Sequence, residues 1–365
     1  MRIGIDARSV GSKICGVSRY ALCVLSSLSS LDKKNEYIVY TDDIDVLPGL
    51  GDNFKISKTL CPRMNSLYDL KFYFILKNDN LDILHVFHSW LPRFIPQGVK
   101  PIVTLHDMFA VVDPNFFMHR KPFHKLFSLY FKYVTSRTIK KADAVVTVSN
   151  YCKKEIVKYF GGDRNQIEVI YNAPGIVVDK CDGERARLID GEYIFYLGNF
   201  RSYKNVETLI RGFHLFNTKY NKKVFLVIAG NDASEEMKLL AKELNIDGNI
   251  IFIYKPKDEE VNNLYSYAAA FVFPSKYEGF GIPPMEAMCF GVPVIISDAD
   301  ALVETSGYAS VIFKKNNPDD LAKAINMVLT DKGLQNDLIR RGFENIKRFT
   351  WELSASKLLS LYNSL

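Results

Sequence analysis

Residues able to do chemistry are concentrated in a few short stretches. The densest runs from Phe273 to Val294 and reads F-P-S-K-Y-E-G-F-G-I-P-P-M-E-A-M-C-F-G-V-P-V. Glu278 opens a glycine-bearing loop, and Glu286 follows it eight residues on. Pro284 stands where a first helical residue would be, which puts Glu286 in a first helical turn. A helix start presents unpaired N–H groups and partial positive charge. Two carboxylates there can accept ligand hydroxyls while the free amides face a phosphate. The plainer reading is that Glu286 offsets the helix dipole and Glu278 is solvated.

A second stretch is Gly198-Asn-Phe-Arg-Ser-Tyr-Lys-Asn205. Arg201 and Lys204 precede or open a helix, where the dipole disfavours cations. Two cations at such a place ask for an anion between them and the free N–H groups. A diphosphate suits, because Arg grips two oxygens and Lys acts as a point charge. His106-Asp107 ends a third run, Ile102–Leu105, and Cys15-Gly-Val-Ser-Arg-Tyr20 follows the first strand. Gly16 in that turn permits close backbone approach to a ligand. Neither a G-x-G-x-x-G nor a Walker A pattern occurs, so dinucleotide and P-loop chemistry are not indicated.

The elements that must hold these groups alternate along the chain. Strands are expected at Arg2–Asp6, Tyr37–Thr41, Ile83–Phe87, Ile102–Leu105 and Ala144–Val148. A second series follows at Tyr193–Leu197, Val224–Ala229, Ile250–Ile253, Ala270–Phe273 and Val292–Ile296. Helices are expected near 17–30, 66–77, 119–141 and 150–160, then near 205–218, 234–245, 259–268, 284–290 and 318–347. Alternation of this kind predicts parallel sheets covered by helices on both faces. The rhythm breaks at 173–191, where Pro174 and Gly175 lead into the charged stretch Asp179 to Asp190. This segment reads as a linker. The expected domains are 1–172 and 192–348, with 349–365 as a final helix. Each doubly wound domain offers a crevice at the carboxyl ends of its strands.

At 365 residues the chain is long enough for two cores. Its 48% hydrophobic and 24% charged residues argue against disorder. The six cysteines form no C-x-x-C pair, so free thiols in a reducing cytosol are expected and a zinc site is not. The first residues read as a strand and not as a signal peptide. No apolar run nears the ~20 residues of a membrane span. Residues 1–172 hold 24 Lys and Arg against 16 Asp and Glu, whereas the remainder holds 23 against 25. The basic half calls for an anionic partner or surface on that side.

The block Glu278 to Ile295 resembles the E-x7-E signature of family 4 retaining glycosyltransferases, and the resemblance extends over nearly the whole chain. Met1–Arg8 with Gly16–Tyr20 is similar to that family's opening strand and loop. Arg201 and Lys204 match its phosphate-binding pair, Leu105-His106-Asp107 its active-site His, and Phe349-Thr350-Trp351-Glu352 its last helix. The resemblance implies the GT-B fold: two Rossmann-like domains facing across a cleft, with the last helix returning to the first. It implies that Glu278 holds donor-sugar hydroxyls and Glu286 the ribose. Arg201 and Lys204 would neutralise the departing diphosphate. His106 would contact the sugar, Gly16 would give an N–H near the phosphates, and the backbone of Phe280, Gly281 and Ile282 would approach the donor. Three positions depart from the family pattern. Ser18 and Ala173 stand where glycine is frequent, and Lys255 occupies a position that is often glycine.

The expected activity is retaining transfer of a hexose from a nucleotide-diphosphate sugar, GDP-mannose first and UDP-hexose second. The expected acceptor is a saccharide or lipid-linked saccharide of cell-surface polysaccharide synthesis. The acidic residues are read as holding no Asp-x-Asp metal motif, so neither a metal nor a cofactor is expected. The rival readings are a GT-B nucleotide-sugar epimerase and a catalytically silent nucleotide-sugar-binding partner protein. Between Asp113 and Asp143 seven basic and seven large aromatic residues alternate with no acidic one. Drawn as a helix, Phe123, Phe127, Tyr130 and Val134 share one face, and Lys121, Lys125 and Lys132 lie opposite. Such a stripe ordinarily marks a core-facing side with a solvated basic back. The alternative is a basic face held against anionic lipid, giving a cytoplasmic protein peripheral on the membrane through 119–141. No nucleic-acid motif accompanies the patch.

Overall fold

The computed structural model describes residues 1–10, 16–61, 66–113, 123–161, 166–175, 187–231 and 235–365. The chain divides into two compact units, Met1–Asn172 with Thr350–Leu365, and Ala173–Phe349.

The first unit runs β1 (Arg2–Asp6), α1 (Gly16–Leu31), β2 (Glu36–Thr41), β3 (Phe54–Lys58), α2 (Ser66–Asn78), β4 (Ile83–Val86), β5 (Lys100–Leu105), α3 (Phe109–Val112), α4 (His124–Lys141), β6 (Ala144–Thr147), α5 (Asn150–Phe160) and β7 (Ile167–Val169). Its sheet has the order β3-β2-β1-β4-β5-β6-β7. The neighbouring strands pair in parallel throughout. Apolar side chains of β1, β2 and β4, among them Ile3, Ile5 and Val39, are fully buried. Helices cover both sheet faces, which is why these strands read as continuous apolar runs.

The second unit runs β8 (Tyr193–Leu197), α6 (Val206–Tyr220), β9 (Phe225–Gly230), α7 (Glu235–Glu243), β10 (Ile250–Tyr254), α8 (Asp258–Ser266), β11 (Ala270–Phe273), α9 (Ile282–Cys289), β12 (Val294–Ser297), α10 (Asp300–Ser306), β13 (Ser310–Phe313), α11 (Pro318–Thr330) and α12 (Lys332–Ile346). Its parallel sheet has the order β10-β9-β8-β11-β12-β13. In both sheets the chain winds outward over three strands and then returns to the other side of the first, so the strand order reverses at β1/β4 in one and at β8/β11 in the other. Ligands of open α/β sheets bind at that switch point, outside the carboxyl ends of the strands.

The last helix, α13 (Trp351–Ser364), packs on α1 in the first unit. Thr350 caps it through the Leu353 amide. The Tyr362 hydroxyl meets His85 Nδ1 at 2.7 Å, and Ser354 donates to the Tyr171 carbonyl.

Several expectations need correction. The helix expected over 318–347 is two helices. Asp331 breaks it by adopting extended backbone and capping α12 through the Leu334 amide. A short acid competes with the helical backbone in this way. Strands β3, β7 and β13 were not expected. All three lie at sheet edges and are short, and β3 and β7 are also interrupted by polar residues. The aromatic stripe of α4 does not face a core: Phe123, Phe127 and Tyr130 are exposed, and Thr135, Thr138 and Ile139 make the buried side instead. Its residues 119–122, Lys121 among them, lie outside the described residues, as do 176–186 of the linker segment.

Candidate functional site

In the second unit the switch point is built by two loops, one after β8 and one after β11. A 3-10 turn, Ser202–Lys204, follows the first, and Asn205 then takes left-handed backbone at φ 58° before α6 begins. Asparagine tolerates that conformation because its short polar side chain bonds locally. Its Nδ2 donates to the Pro274 carbonyl at the end of β11 (3.0 Å), and its Oδ1 takes the Thr208 hydroxyl (2.8 Å). The Lys276 amide donates to the Tyr203 carbonyl at 2.7 Å. These bonds brace the two loops against each other.

The brace brings Lys204 Nζ to 2.7 Å from Glu278 Oε1, with both side chains largely buried. Lys204 also lies over the Phe273 ring at 4.9 Å, a cation–π contact. The anion that the cations asked for is therefore partly the protein's own. Arg201 stands apart: it is exposed, and its backbone amide bonds Asn199 Oδ1. The structure thus joins Lys204 to Glu278 and leaves Arg201 at the rim of the same loop.

Helix α9 begins at Ile282, with Gly281 as its left-handed N-cap at φ 97° and Pro283 in the second helical position. A Cβ on Gly281 would strike Leu302, so glycine is required there twice over. Pro284 is consequently not the first helical residue, and Glu286 is not in the first turn. It lies one turn deeper and is buried. Its oxygens accept the Tyr265 hydroxyl at 3.2 Å and the Gly175 amide at 3.4 Å. Phe280 is buried edge-on against Phe349, and its carbonyl takes the Thr305 hydroxyl. Asn205, Tyr265 and Thr305 were missed by sequence reasoning. Only Asn205 carried a signal, an Asn directly before a helix.

Lys255 has left-handed backbone at φ 49°, which accounts for glycine being frequent at its position. Two Asp-x-Asp triplets do occur, Asp43-Ile44-Asp45 and Asp298-Ala299-Asp300, which corrects the reading of the acidic residues. Asp298 is exposed and accepts the Lys315 amide, and Asp300 lies in the first turn of α10. Among the described residues no three His, Cys, Asp or Glu gather as around a metal ion.

In the first unit His106 follows β5. Its Nε2 lies 3.0 Å from the Phe87 carbonyl, and its ring stands edge-on to Tyr20. A carbonyl only accepts, so Nε2 carries the hydrogen and Nδ1 is the accepting nitrogen. Burial pulls the imidazole down to about 4 against the help of that bond, so His106 is neutral near pH 7. Gly16 opens α1, one turn before Tyr20, and a Cβ there would meet only open space. Ser18 donates to the Ser9 carbonyl.

Comparison with known proteins bears on both units. Residues 16–173 match the family described as Glycosyltransferase Family 4, and residues 184–345 match Glycosyl transferases group 1. The chain thus carries a Glycosyltransferase Family 4 domain followed by a Glycosyl transferases group 1 domain. The O-antigen chain mannosyltransferase RfbU of Salmonella typhimurium is 26% identical over 330 residues, 87% of either chain. The O-antigen chain mannosyltransferase B of Escherichia coli is 26% identical over 294 residues, 78% of this chain and 74% of that one. Among solved structures, WaaG, a glycosyltransferase involved in lipopolysaccharide biosynthesis, superposes with a TM-score of 0.75 at 16% identity, covering 98% of this chain and 99% of its own. Anabaena HepE, in complex with UDP and glucose, gives 0.76 at 14% identity with 100% of both chains covered. This glycosyltransferase therefore has the GT-B fold.

Proposed function

We propose that the chain transfers a hexose, with retention and without a metal ion, from a nucleoside diphosphate sugar to a saccharide or lipid-linked saccharide of a cell-surface polysaccharide. GDP-mannose is the first donor on the likeness to O-antigen mannosyltransferases. UDP-hexose is second, because HepE, similar in fold, is in complex with UDP and glucose. The observation that carries the reading is the Lys204–Glu278 pair at the β8/β11 switch point, beside the start of α9.

In the reaction the bond from the anomeric carbon to the diphosphate oxygen breaks, and a bond to the acceptor oxygen forms on the same face. The acceptor proton passes to the departing diphosphate. Negative charge gathers on that leaving group as the sugar approaches an oxocarbenium ion. A phosphate oxygen sharing the Lys204 ammonium would release Glu278 to accept sugar hydroxyls. Arg201, exposed on the same loop, adds a second cation. Such groups bind the charge more tightly in the transition state than in the ground state. Glu286, held by Tyr265, is the ribose acceptor, and neutral His106 offers Nδ1 to a sugar hydroxyl. The protein works at the cytoplasmic face of a membrane, held there by its basic first unit.

The test has two parts. Thermal shift against GDP, UDP and their sugars identifies the base, since a ligand of the native state raises stability by mass action. The anomeric proton coupling of the glycoside product must then match the donor's configuration, in EDTA as without it. An inverted product, or activity abolished by EDTA, refutes the corresponding half.

A further inference from the structure

Helix α9 opens on the run Gly281-Ile-Pro-Pro284, with Gly281 as its N-cap. The N-cap and the first three helical residues are the positions whose N–H groups find no carbonyl one turn back. Pro283 and Pro284 carry no N–H at all. The donors at this helix start are therefore only the amides of Gly281 and Ile282. Neither donates to any group among the described residues. Gly281 is buried, and a buried backbone N–H without a partner is rare in a folded chain. Where that N–H points is thus a property of the site.

Its direction is fixed from behind. The Gly281 N–H shares a planar peptide with the Phe280 carbonyl, and in a trans peptide the two point opposite ways. The carbonyl takes the Thr305 hydroxyl of α10 at 3.0 Å. The Gly281 N–H therefore points away from Thr305. The seat of this bond is stiff. Thr305 is fully buried, Asn345 Nδ2 of α12 donates to its carbonyl at 2.8 Å, and Arg348 Nη1 donates to Asn345 Oδ1 at 2.9 Å. The Phe280 ring is held as well, edge-on to Phe349 with 5.5 Å between centroids.

Thr305 does not need Phe280 for its own satisfaction. Its hydroxyl oxygen also lies 2.9 Å from the Ala301 carbonyl, the acceptor a helical threonine ordinarily uses, four residues back. The carbonyl at 3.0 Å on another loop is what the fold adds. The peptide it holds is one that could turn over. Gly281, at φ 97°, has no Cβ to resist the opposite orientation of the plane.

We propose that Thr305 is a positioning residue for the donor: its hydroxyl holds the 280–281 peptide so that the Gly281 N–H faces an oxygen of the donor's diphosphate-sugar end. Thr305 touches no substrate and acts through the peptide it orients. A dipole fixed in advance need not reorganise as charge develops on the donor. The assignment rests on reading the start of α9 as facing the donor, and it adds the side chain that aims the amide there.

Three variants separate the hydroxyl from the packing. T305V keeps the shape without the hydroxyl, T305S keeps the hydroxyl, and T305A keeps neither. Calorimetric titration uses guanosine, GDP and GDP-mannose, then uridine, UDP and UDP-glucose. In the series that binds wild type, T305V should bind the nucleoside unchanged and the nucleotide sugar at least about tenfold more weakly, as for loss of one hydrogen bond. Weakening already present with the diphosphate marks a phosphate oxygen. Weakening confined to the nucleotide sugar marks a sugar oxygen. T305A should follow T305V, and T305S should stay close to wild type. Equal weakening of the nucleoside, undiminished binding by T305V, or a T305S as poor as T305V overturns the assignment. The free protein gives a second reading. Isotope labelling of phenylalanine carbonyls and glycine nitrogens leaves three doubly labelled peptides, before Gly161, Gly281 and Gly291. The Phe280 carbonyl and Gly281 amide resonances should move in T305V and stay in place in T305S, and an unmoved pair in T305V also overturns the assignment. A wild-type chain that binds neither series would instead sink the donor reading, and the peptide resonances would be independent of that failure.

Discussion

Lys204 and Arg201 stand three residues apart in different surroundings. Lys204 is anchored on Glu278 and over Phe273, whereas Arg201 is exposed. Both are proposed to act on a charge that develops only in the transition state. Each substitution to Ala should then lower kcat by about 10²–10³, the range for loss of one charge-stabilising group. Donor KM should change far less, because the interaction is weaker in the ground state. R201A should leave thermal stability unaltered. K204A should also lower it somewhat, since it leaves Glu278 largely buried without its cation. Steady-state kinetics with circular dichroism on the same preparations decides the matter, and near-normal turnover by a folded double variant would remove the mechanism.

At the scale of elements, α13 is fastened to the first unit through a buried histidine. His85 on β4 meets Tyr362 on α13 and Thr104 on β5, at 2.7 and 2.8 Å. Burial, with His106 nearby, pulls its imidazole down to about 3. The unfolded chain therefore binds a proton near pH 6.5 that the folded chain refuses until about 3. Between those values stability falls as pH falls, by up to about 1.4 kcal/mol per pH unit for this one group. The Asp6 carboxylate adds to acid sensitivity in the same direction. Burial alone would raise it, but the Arg8 charge and paired bonds hold it well below the usual range. H85Q should melt below wild type at pH 7.5, because the network is lost, and the gap should narrow by pH 4.5, because the glutamine takes no proton. A gap independent of pH would show that His85 takes its proton as readily in the folded chain as in the unfolded one, and would refute the assignment.

Over the whole molecule, charge is divided between the sequence halves: the first 172 residues carry eight excess positive charges and the rest two excess negative ones. Among the described residues no helix is long and apolar enough to cross a membrane. An exposed aromatic face on α4, with Lys125 and Lys132 on the opposite side of the helix, has instead the amphipathic composition of an interfacial element. Each Lys or Arg near an anionic surface contributes about 1 kcal/mol, and salt screens it. Liposome co-sedimentation should therefore require anionic lipid, weaken with salt, and fall when Lys121, Lys125 and Lys132 become Glu. Equal binding to neutral vesicles would refute the electrostatic part.

The sequence by itself determined the alternation of elements and most of the central strands, because strands buried on both faces must be apolar throughout. It also determined the short-range chemistry of the Glu278–Glu286 block, where Gly281 and the prolines dictate a loop and a helix start within a few residues. It left the edge strands β3, β7 and β13 unread, since a half-exposed strand of three to five residues carries too little apolar signal. Tertiary structure alone decided that Lys204 meets Glu278, 74 residues away, and that Asn205 ties α6 to β11. It moved Glu286 out of the first turn and set Tyr265 against it. It likewise turned the aromatic stripe of α4 outward and brought the Thr305 hydroxyl to the Phe280 carbonyl. Periodicity says which side chains share a face of an element. Only the packing of one element against another says whether that face meets a core, a ligand or solvent.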